Sequence, residues 1–326
     1  MKAWLCESLE GIGAMRWQDM PTPEPRAGEV RVAVRCASLN FPDLLIVEGK
    51  YQFKPPLPFV PGAEFSGVVD AAGPGVTHLK PGDRIAAIGS HGGFATHACV
   101  PAAQAMPLPP TLGFEDAAAF AFTYGTSCHA LLDRGALAPG ETVLVLGASG
   151  GVGSAAVQIA KAAGARVVAT ASTPAKAAFC RELGADAVID LSREGLRDAL
   201  KAACGGGGPD VVYDPVGGEL AEPALRSIAW RGRYLVVGFA GGGIPALPFN
   251  LPLLKGASIV GVFWGEFVRR EPAAFRADLA RLVQWHADGK VRPAIDRVLP
   301  MSELPAAYAR MASRQVLGKL VMRNDQ

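Results

Sequence analysis

The chain has 326 residues, half of them hydrophobic, with 32 basic and 30 acidic side chains and a formal net charge of +2. That length is too great for one ordinary core and suits two domains. The charges are well mixed, so no basic block points to nucleic acid or a membrane surface, and the longest apolar runs fall far short of a membrane span.

The N-terminus, MKAWLCESLEGIG, has one early lysine but no long apolar core, and reads as no signal peptide. Residues 1–110 are rich in Gly, Pro and short β-branched runs, among them VRVAVRCASL from Val30, FSGVVDAAG from Phe65 and DRIAAIG from Asp83. Turn signals (TPEP, GPG, KPGD) separate them, which predicts an antiparallel, partly barrel-like β domain. From Gly113 the pattern changes to a helical run, FEDAAAFAFTYGTSCHALLDRG, with Glu115 and Asp116 near its start. From Val143 strands and helices alternate. The strands are VLVLG, RVVATA, DAVID, DVVYDPV, YLVVGFA and SIVGVFWG, with helices between them and a flexible GGGGP loop at 205–209. Apolar strands with helical crossovers imply a parallel sheet covered on both faces. After Gly265 come a long helical stretch (266–289), a short strand (AIDRVLP), a helix (SELPAAYARMAS) and a last strand, GKLVM. This tail is too short for its own core and is expected to complete the first domain. The six cysteines, at positions 6, 36, 99, 128, 180 and 204, include no CxxC pair and read as reduced packing thiols of a cytoplasmic protein.

A strand that feeds a helix through a glycine-rich turn is an anion site. The helix N-terminus offers unpaired N–H groups and a partial positive charge, and the missing Cβ atoms let a pyrophosphate approach. The turn GASGGVG, comprising Gly147, Ala148, Ser149, Gly150, Gly151, Val152 and Gly153, has this setting and opens the α/β unit, which predicts dinucleotide binding. An NAD site places an acid at the end of the second strand. Here Ala171 or Ser172 stands there, and the next acid is Glu182. A carboxylate would repel a 2′-phosphate. Its absence, with Ser172, Thr173 and Lys176 nearby, predicts NADP(H) over NAD.

The order SLNFPDLLIVEGKY, PFVPGAEFSGVV, KPGDR, GGFATH, GASGGVG, VVYDPVGG, VVGFAGG and GKLVM resembles the zinc-free quinone oxidoreductase (zeta-crystallin-like) branch of the medium-chain dehydrogenase/reductase superfamily, over nearly the whole chain. The resemblance implies an α/β fold in which a Rossmann doubly wound parallel six-stranded sheet (124–263) is inserted in a GroES-like, partly barrel-like catalytic β domain (1–123 and 264–326). The superfamily's zinc enzymes use a Cys, the His of a GHE motif and a further Cys. Asn40, Ala63 and Phe122 stand at those positions, and the structural four-cysteine lobe is missing, so no metal is expected. His91, His97 and His129 have no ligand spacing with Cys or a carboxylate. Glu64 survives from the motif and is expected to hold a local hydrogen bond or ion pair.

Without a Lewis acid, a carbonyl-conjugated small-molecule electron acceptor, a quinone or an enone, suits hydride transfer better than an alcohol does. Negative charge then grows on its oxygen and needs a hydrogen-bond donor. The resemblance assigns Asn40 and Tyr51 as these donors beside the nicotinamide. A Tyr with a pKa of about 10 is protonated at neutral pH and can donate. Asp43 is expected to orient the loop. By resemblance, Thr126 approaches the nicotinamide end. Asp214, Val216, Gly217, Gly238, Phe239 and Ala240 sit at strand ends where open α/β sheets bind ligands. Phe263, Trp264 and Gly265 face the nicotinamide amide, and Lys319 reaches a phosphate or ribose. Leu191 replaces a Tyr that packs near the adenosine phosphate in some quinone reductases, which leaves Arg193 as a substitute grip.

Two other functions fit the same residues. An enoyl-thioester reductase acting on acyl-CoA-type substrates would need a cationic patch, for which Arg269 and Arg270 are candidates. A non-catalytic, crystallin-like NADPH-binding protein would keep the cofactor site alone. No YxxxK pair supports a short-chain enzyme. The resemblance also implies a homodimer joined through SIVGVF, because an apolar sheet edge needs a partner.

Overall fold

The computed structural model describes residues 1–192, 195–204 and 206–325. They form two compact units, Met1–Phe122 with Ile295–Gln326 (unit 1) and Thr123–Ala294 (unit 2).

Unit 1 is built from strands β1 (Lys2–Leu5), β2 (Arg16–Asp19), β3 (Glu29–Leu39), β4 (Glu64–Ala72), β5 (Arg84–Ile88), β6 (His97–Pro101) and β7 (Ala105–Pro107), with helices α1 (Phe41–Val47) and α2 (Phe114–Ala118). The chain leaves through α3 (Ala121–Cys128), within which the unit boundary falls. The long strand β3 organises the sheet. Its first half alternates between covered and partly covered positions, placing Val30, Val32 and Val34 in the core, as a half-buried strand requires. Its second half is continuously buried, so Ser38 and Leu39 are enclosed on both faces. Two register irregularities against β4, at Arg31/Val32 and Val34/Cys36, bend the ladder in the way that curves a sheet toward a barrel. Pro42 lies in the first turn of α1, where its missing N–H costs nothing.

Unit 2 carries β8 (Thr142–Val145), α4 (Gly151–Ala162), β9 (Arg166–Ala171), α5 (Pro174–Glu182), β10 (Ala187–Asp190), α6 (Leu196–Ala203), β11 (Val211–Asp214), α7 (Ala221–Ser227), β12 (Arg233–Val236), α8 (Asn250–Lys255), β13 (Ser258–Gly261), α9 (Trp264–Arg270) and α10 (Pro272–Ala287). The sheet order is β10-β9-β8-β11-β12-β13 and every pairing is parallel. This is the doubly wound order with its switch point between β8 and β11, where such sheets bind dinucleotides. Leu144, Leu146, Val168, Val212 and Tyr234 fill the core between sheet and helices. The chain then returns to unit 1 as β14 (Ile295–Pro300), α11 (Leu304–Ala312) and β15 (Lys319–Arg323); β15 runs antiparallel to β3 and parallel to β14.

Two expectations are corrected here. Residues 264–294, expected with the first domain, pack in unit 2. Trp264 covers Gly125, where an added Cβ would lie 2.9 Å from the indole, and stands edge-on to Phe275; Phe267 stacks on His129 at 3.9 Å. Both long helical runs are also interrupted. The first is α2, α3 and a π-helical turn (His129–Arg134); the second breaks between α9 and α10, where Pro272 begins a new helix.

Candidate functional site

The glycine turn of unit 2 joins β8 to α4. Gly147 has φ +60°, which glycine adopts without strain, and its N–H donates to Thr170 Oγ1 at 3.2 Å. At Gly153 a Cβ would lie 2.2 Å from Gly147 O, so this glycine lets α4 close on the turn. Gly150 differs, since a Cβ there would meet only Gly147 O, at an ordinary 3.5 Å. Protein packing gives no reason for a glycine at 150, whereas a backbone-hugging ligand does. Gly150 is the N-cap of the 12-residue α4. It supplies no side-chain cap, and no acid lies in the first turn, so the helix end stays favourable to an anion. The turn therefore fits a pyrophosphate held by Gly150, Gly151, Val152 and Gly153. Ala148 and Ser149 of the turn are buried. Thr170, whose hydroxyl anchors the turn, was not singled out in the sequence; a hydroxyl in an otherwise apolar buried strand was the available signal.

At the end of β9, Ser172 and Thr173 are exposed. Thr173 caps α5 by accepting from Lys176 N, and Lys176 Nζ lies 3.3 Å from Ser172 Oγ. The three residues expected to hold a 2′-phosphate thus form one corner. Leu191 packs against the core of unit 2. Arg193, the substitute grip, lies outside the described residues, as does Gly205 of the expected flexible loop.

Among the other strand ends, Val216 presses on the glycine turn, its Cγ2 2.7 Å from where a Cβ of Gly147 would stand. Gly238 is partly covered, while Phe239, Ala240, Phe263 and Gly265 are exposed. Thr126 is buried in α3. Two residues do other work than expected. Asp214 is 2% exposed; one carboxylate oxygen accepts from the N–H groups of Val216 and Gly217, both at 2.8 Å, and the other from the Tyr234 hydroxyl. It shapes the turn after β11 from within, with both carboxylate oxygens engaged. Trp264 is 6% exposed and serves the packing described above, so its neighbour Phe263, 63% exposed, is the aromatic on offer to a ligand.

Unit 1 holds a buried polar cluster. Asn40, after β3, donates from Nδ2 to Glu64 Oε2 at 3.1 Å. Ser38 Oγ donates to the same carboxylate oxygen at 2.6 Å, and Phe122 N donates to Glu64 Oε1 at 2.7 Å. Lys319 Nζ donates to Asn40 Oδ1 at 2.5 Å, Leu39 O at 3.3 Å and Glu64 Oε2 at 3.4 Å. The expected phosphate or ribose contact of Lys319 is corrected accordingly: it is 2% exposed and its three N–H positions are matched by these acceptors. Burial pulls its pKa below the usual lysine value, with Glu64 and then Asp43 opposing. Asp43 accepts from Asn40 N at 2.8 Å and orients the loop as expected; burial pushes its carboxyl up to about 7. Tyr51 is partly exposed at the edge of the unit 1 core. Burial, followed by the Asp43 charge, raises its pKa, so its hydroxyl stays a donor at neutral pH. Ser38 was not foreseen. It follows Ala37 in an apolar strand, and nothing at short range marks its partner 26 residues away.

Among the described residues, no group of three or more His, Cys, Asp or Glu could hold a metal ion, and no helix is long and apolar enough to cross a membrane.

Family models for an alcohol dehydrogenase GroES-like domain and a zinc-binding dehydrogenase match residues 26–110 and 151–285. A quinone oxidoreductase-like protein 2 homolog of Nematostella vectensis is 38% identical over 301 residues, covering 91% of this chain and 82% of the relative. Among solved structures, a probable oxidoreductase from Mycobacterium abscessus superposes with a TM-score of 0.90 at 40% identity over 99% of both chains. The quinone oxidoreductase of Thermus thermophilus, solved also in complex with NADPH, has a TM-score of 0.85 at 35% identity, covering 99% of this chain and 100% of that one.

Proposed function

Because the chain belongs to the zinc-free quinone oxidoreductase branch of the medium-chain dehydrogenase/reductase superfamily, we propose that this oxidoreductase is an NADPH-dependent reductase of quinones or α,β-unsaturated carbonyls. The observation that carries the reading is the corner at the end of β9, where Ser172, Thr173 and Lys176 meet and no acid stands at position 171 or 172. A 2′-phosphate finds two hydroxyls and a cation there. The pyrophosphate belongs on the open N-terminus of α4. Val216, Gly238, Phe239, Ala240, Phe263 and Gly265 are the remaining cofactor residues, with Thr126 toward the nicotinamide.

When bound, the cofactor supplies a hydride. The acceptor gains that hydride and one proton, and negative charge grows on its oxygen in between. Tyr51 donates the proton, and the Asn40 amide donates a hydrogen bond to the same developing charge. Asn40, Ala63 and Phe122 offer none of the thiolate or imidazole donors that a catalytic zinc requires. The exposed apolar side chains Phe249, Leu253 and Leu254, in and next to α8, and Ile259 on the edge strand β13 favour a homodimer through this edge. Arg269 and Arg270 both pair with Glu266 at 2.7 Å, which weakens them as a patch for carrier phosphates.

The test is stopped-flow NADPH oxidation with ortho- and para-quinones, alkenals and crotonyl-CoA. Quinones or alkenals are expected to react faster than the thioester, and Tyr51→Phe to slow the chemical step by about 10²-fold. Turnover of crotonyl-CoA alone would assign the thioester reaction, and no turnover of any acceptor would leave a binding protein. Sedimentation of Leu253→Glu beside the native chain tests the dimer; a native monomer at micromolar concentration would end that part.

A further inference from the structure

An asparagine amide presents a donor and an acceptor of nearly equal size, and its neighbours decide which way round it sits. At Asn40 they have opposite character. Lys319 Nζ, which can only donate, faces Oδ1 at 2.5 Å. Glu64 Oε2, which as a carboxylate only accepts, faces Nδ2 at 3.1 Å. Turning the amide over would set NH2 against ammonium and carbonyl against carboxylate, losing two charge-assisted hydrogen bonds. Glu64 is itself pinned by Ser38 Oγ at 2.6 Å and Phe122 N at 2.7 Å, and Lys319 by Leu39 O at 3.3 Å. All of these side chains are buried, so the interactions are poorly screened. Nδ2 carries two hydrogens and Glu64 takes one. Among the described residues, the other has only Ser38 O and Oγ near it, both at 3.5 Å, the outer limit of a hydrogen bond.

We propose that Lys319, braced by Glu64, is a positioning residue that fixes the Asn40 amide with one Nδ2 hydrogen held ready for the oxygen of the quinone or enone acceptor. This rests on the reductase reading above. Lys319 touches neither acceptor nor cofactor; it acts through Asn40. A donor held in place contributes more than one that must be turned as charge develops.

The test is a double-mutant cycle in the full chain, using Asn40→Ala, Lys319→Met and their combination, with kcat and KM for a quinone and Kd for NADPH. Lys319→Met leaves Glu64 buried without its cation, so the neutral pair Glu64→Gln with Lys319→Met is measured beside it, and Lys319→Arg tests whether the cation alone restores function. Asn40→Ala is expected to lower kcat by about 10²-fold. Lys319→Met should lower it by roughly tenfold or more with NADPH affinity unchanged, and should cost nothing further once Asn40 is alanine. An equal loss from Lys319→Met in both backgrounds would overturn the proposal, as would no loss in the native one. Asn40→Ala without effect would remove the donor role of Asn40 and the positioning with it. A second readout needs no turnover. The Asn40 side-chain NH2 protons should exchange slowly in the native protein and faster in the folded neutral pair; equal exchange would overturn the positioning even if no acceptor reacts.

Discussion

Lys176→Ala should separate the two nicotinamide cofactors. Lys176 Nζ stands 3.3 Å from Ser172 Oγ, and the Thr173 cap fixes Lys176 in the first turn of α5. A phosphate on these hydroxyls would lie about 4 Å from the ammonium. At that separation two unit charges attract by about 1 kcal/mol in bulk water and about 4 kcal/mol at an effective dielectric of 20. The corner is partly open to solvent and salt, so the lower part of this range applies, about 1–2 kcal/mol. A factor of ten corresponds to about 1.4 kcal/mol, so NADPH should bind about 5–30-fold more weakly. NADH has no 2′-phosphate and should change by less than about twofold on the same argument. The assay is a fluorescence titration with each cofactor at low and high ionic strength, the NADPH loss shrinking as salt rises. Equal losses for both cofactors, or an NADPH loss indifferent to salt, would refute the assignment.

The two glycines of the turn should respond differently to alanine. Gly153→Ala drives a Cβ to 2.2 Å from Gly147 O and should destabilise unit 2 by about 1–3 kcal/mol in thermal melts. Gly150→Ala meets only an ordinary contact at 3.5 Å, so it should melt like the native protein yet bind NADPH at least about tenfold more weakly, its Cβ occupying space meant for the ligand. Native affinity in the folded Gly150→Ala protein would count against the pyrophosphate site. Asp43 gives a pH signature. Burial holds its carboxyl at about 7 in the folded chain, against about 3.9 unfolded, so across that window the folded state binds the extra proton and this group's contribution falls as pH rises. The slope is at most about 1.4 kcal/mol per pH unit, and Asp43→Asn, which keeps an oxygen for Asn40 N–H, should flatten it. Denaturation midpoints between about pH 4 and 7 decide the matter; parallel curves for the two proteins would contradict the raised value.

What the sequence made legible is what short-range pattern controls. The strands of unit 2 announce themselves because each is an apolar run and all but RVVATA are closed by a glycine or an acid, and the parallel order follows from the helices between them. Ser172, Thr173 and Lys176 were readable together for the same reason, since they lie within five positions of one another between one strand end and helix start. Misassignments arose where long-range packing decides. Trp264 follows the last strand just as an exposed ligand contact would, yet Gly125, 139 positions earlier, leaves the gap that takes its indole. Asp214 ends β11 as a ligand-facing acid would, but two backbone N–H groups and Tyr234 had claimed it.

Lys319 shows the limit most sharply. In GKLVM it reads as a phosphate or ribose contact, because a lysine is almost never buried without a paired charge. That charge is Glu64, 255 positions away, and the amide it orients is Asn40, 279 positions away. Neither partner is signalled near residue 319. They meet because β15 pairs antiparallel with the end of β3, setting Leu320 opposite Leu39, while β4 pairs on the other side of β3 and sets Glu64 opposite Ser38. Register between strands far apart in sequence thus brings a cation, a carboxylate and an amide into one dry cluster at the point where zinc relatives place their ligands.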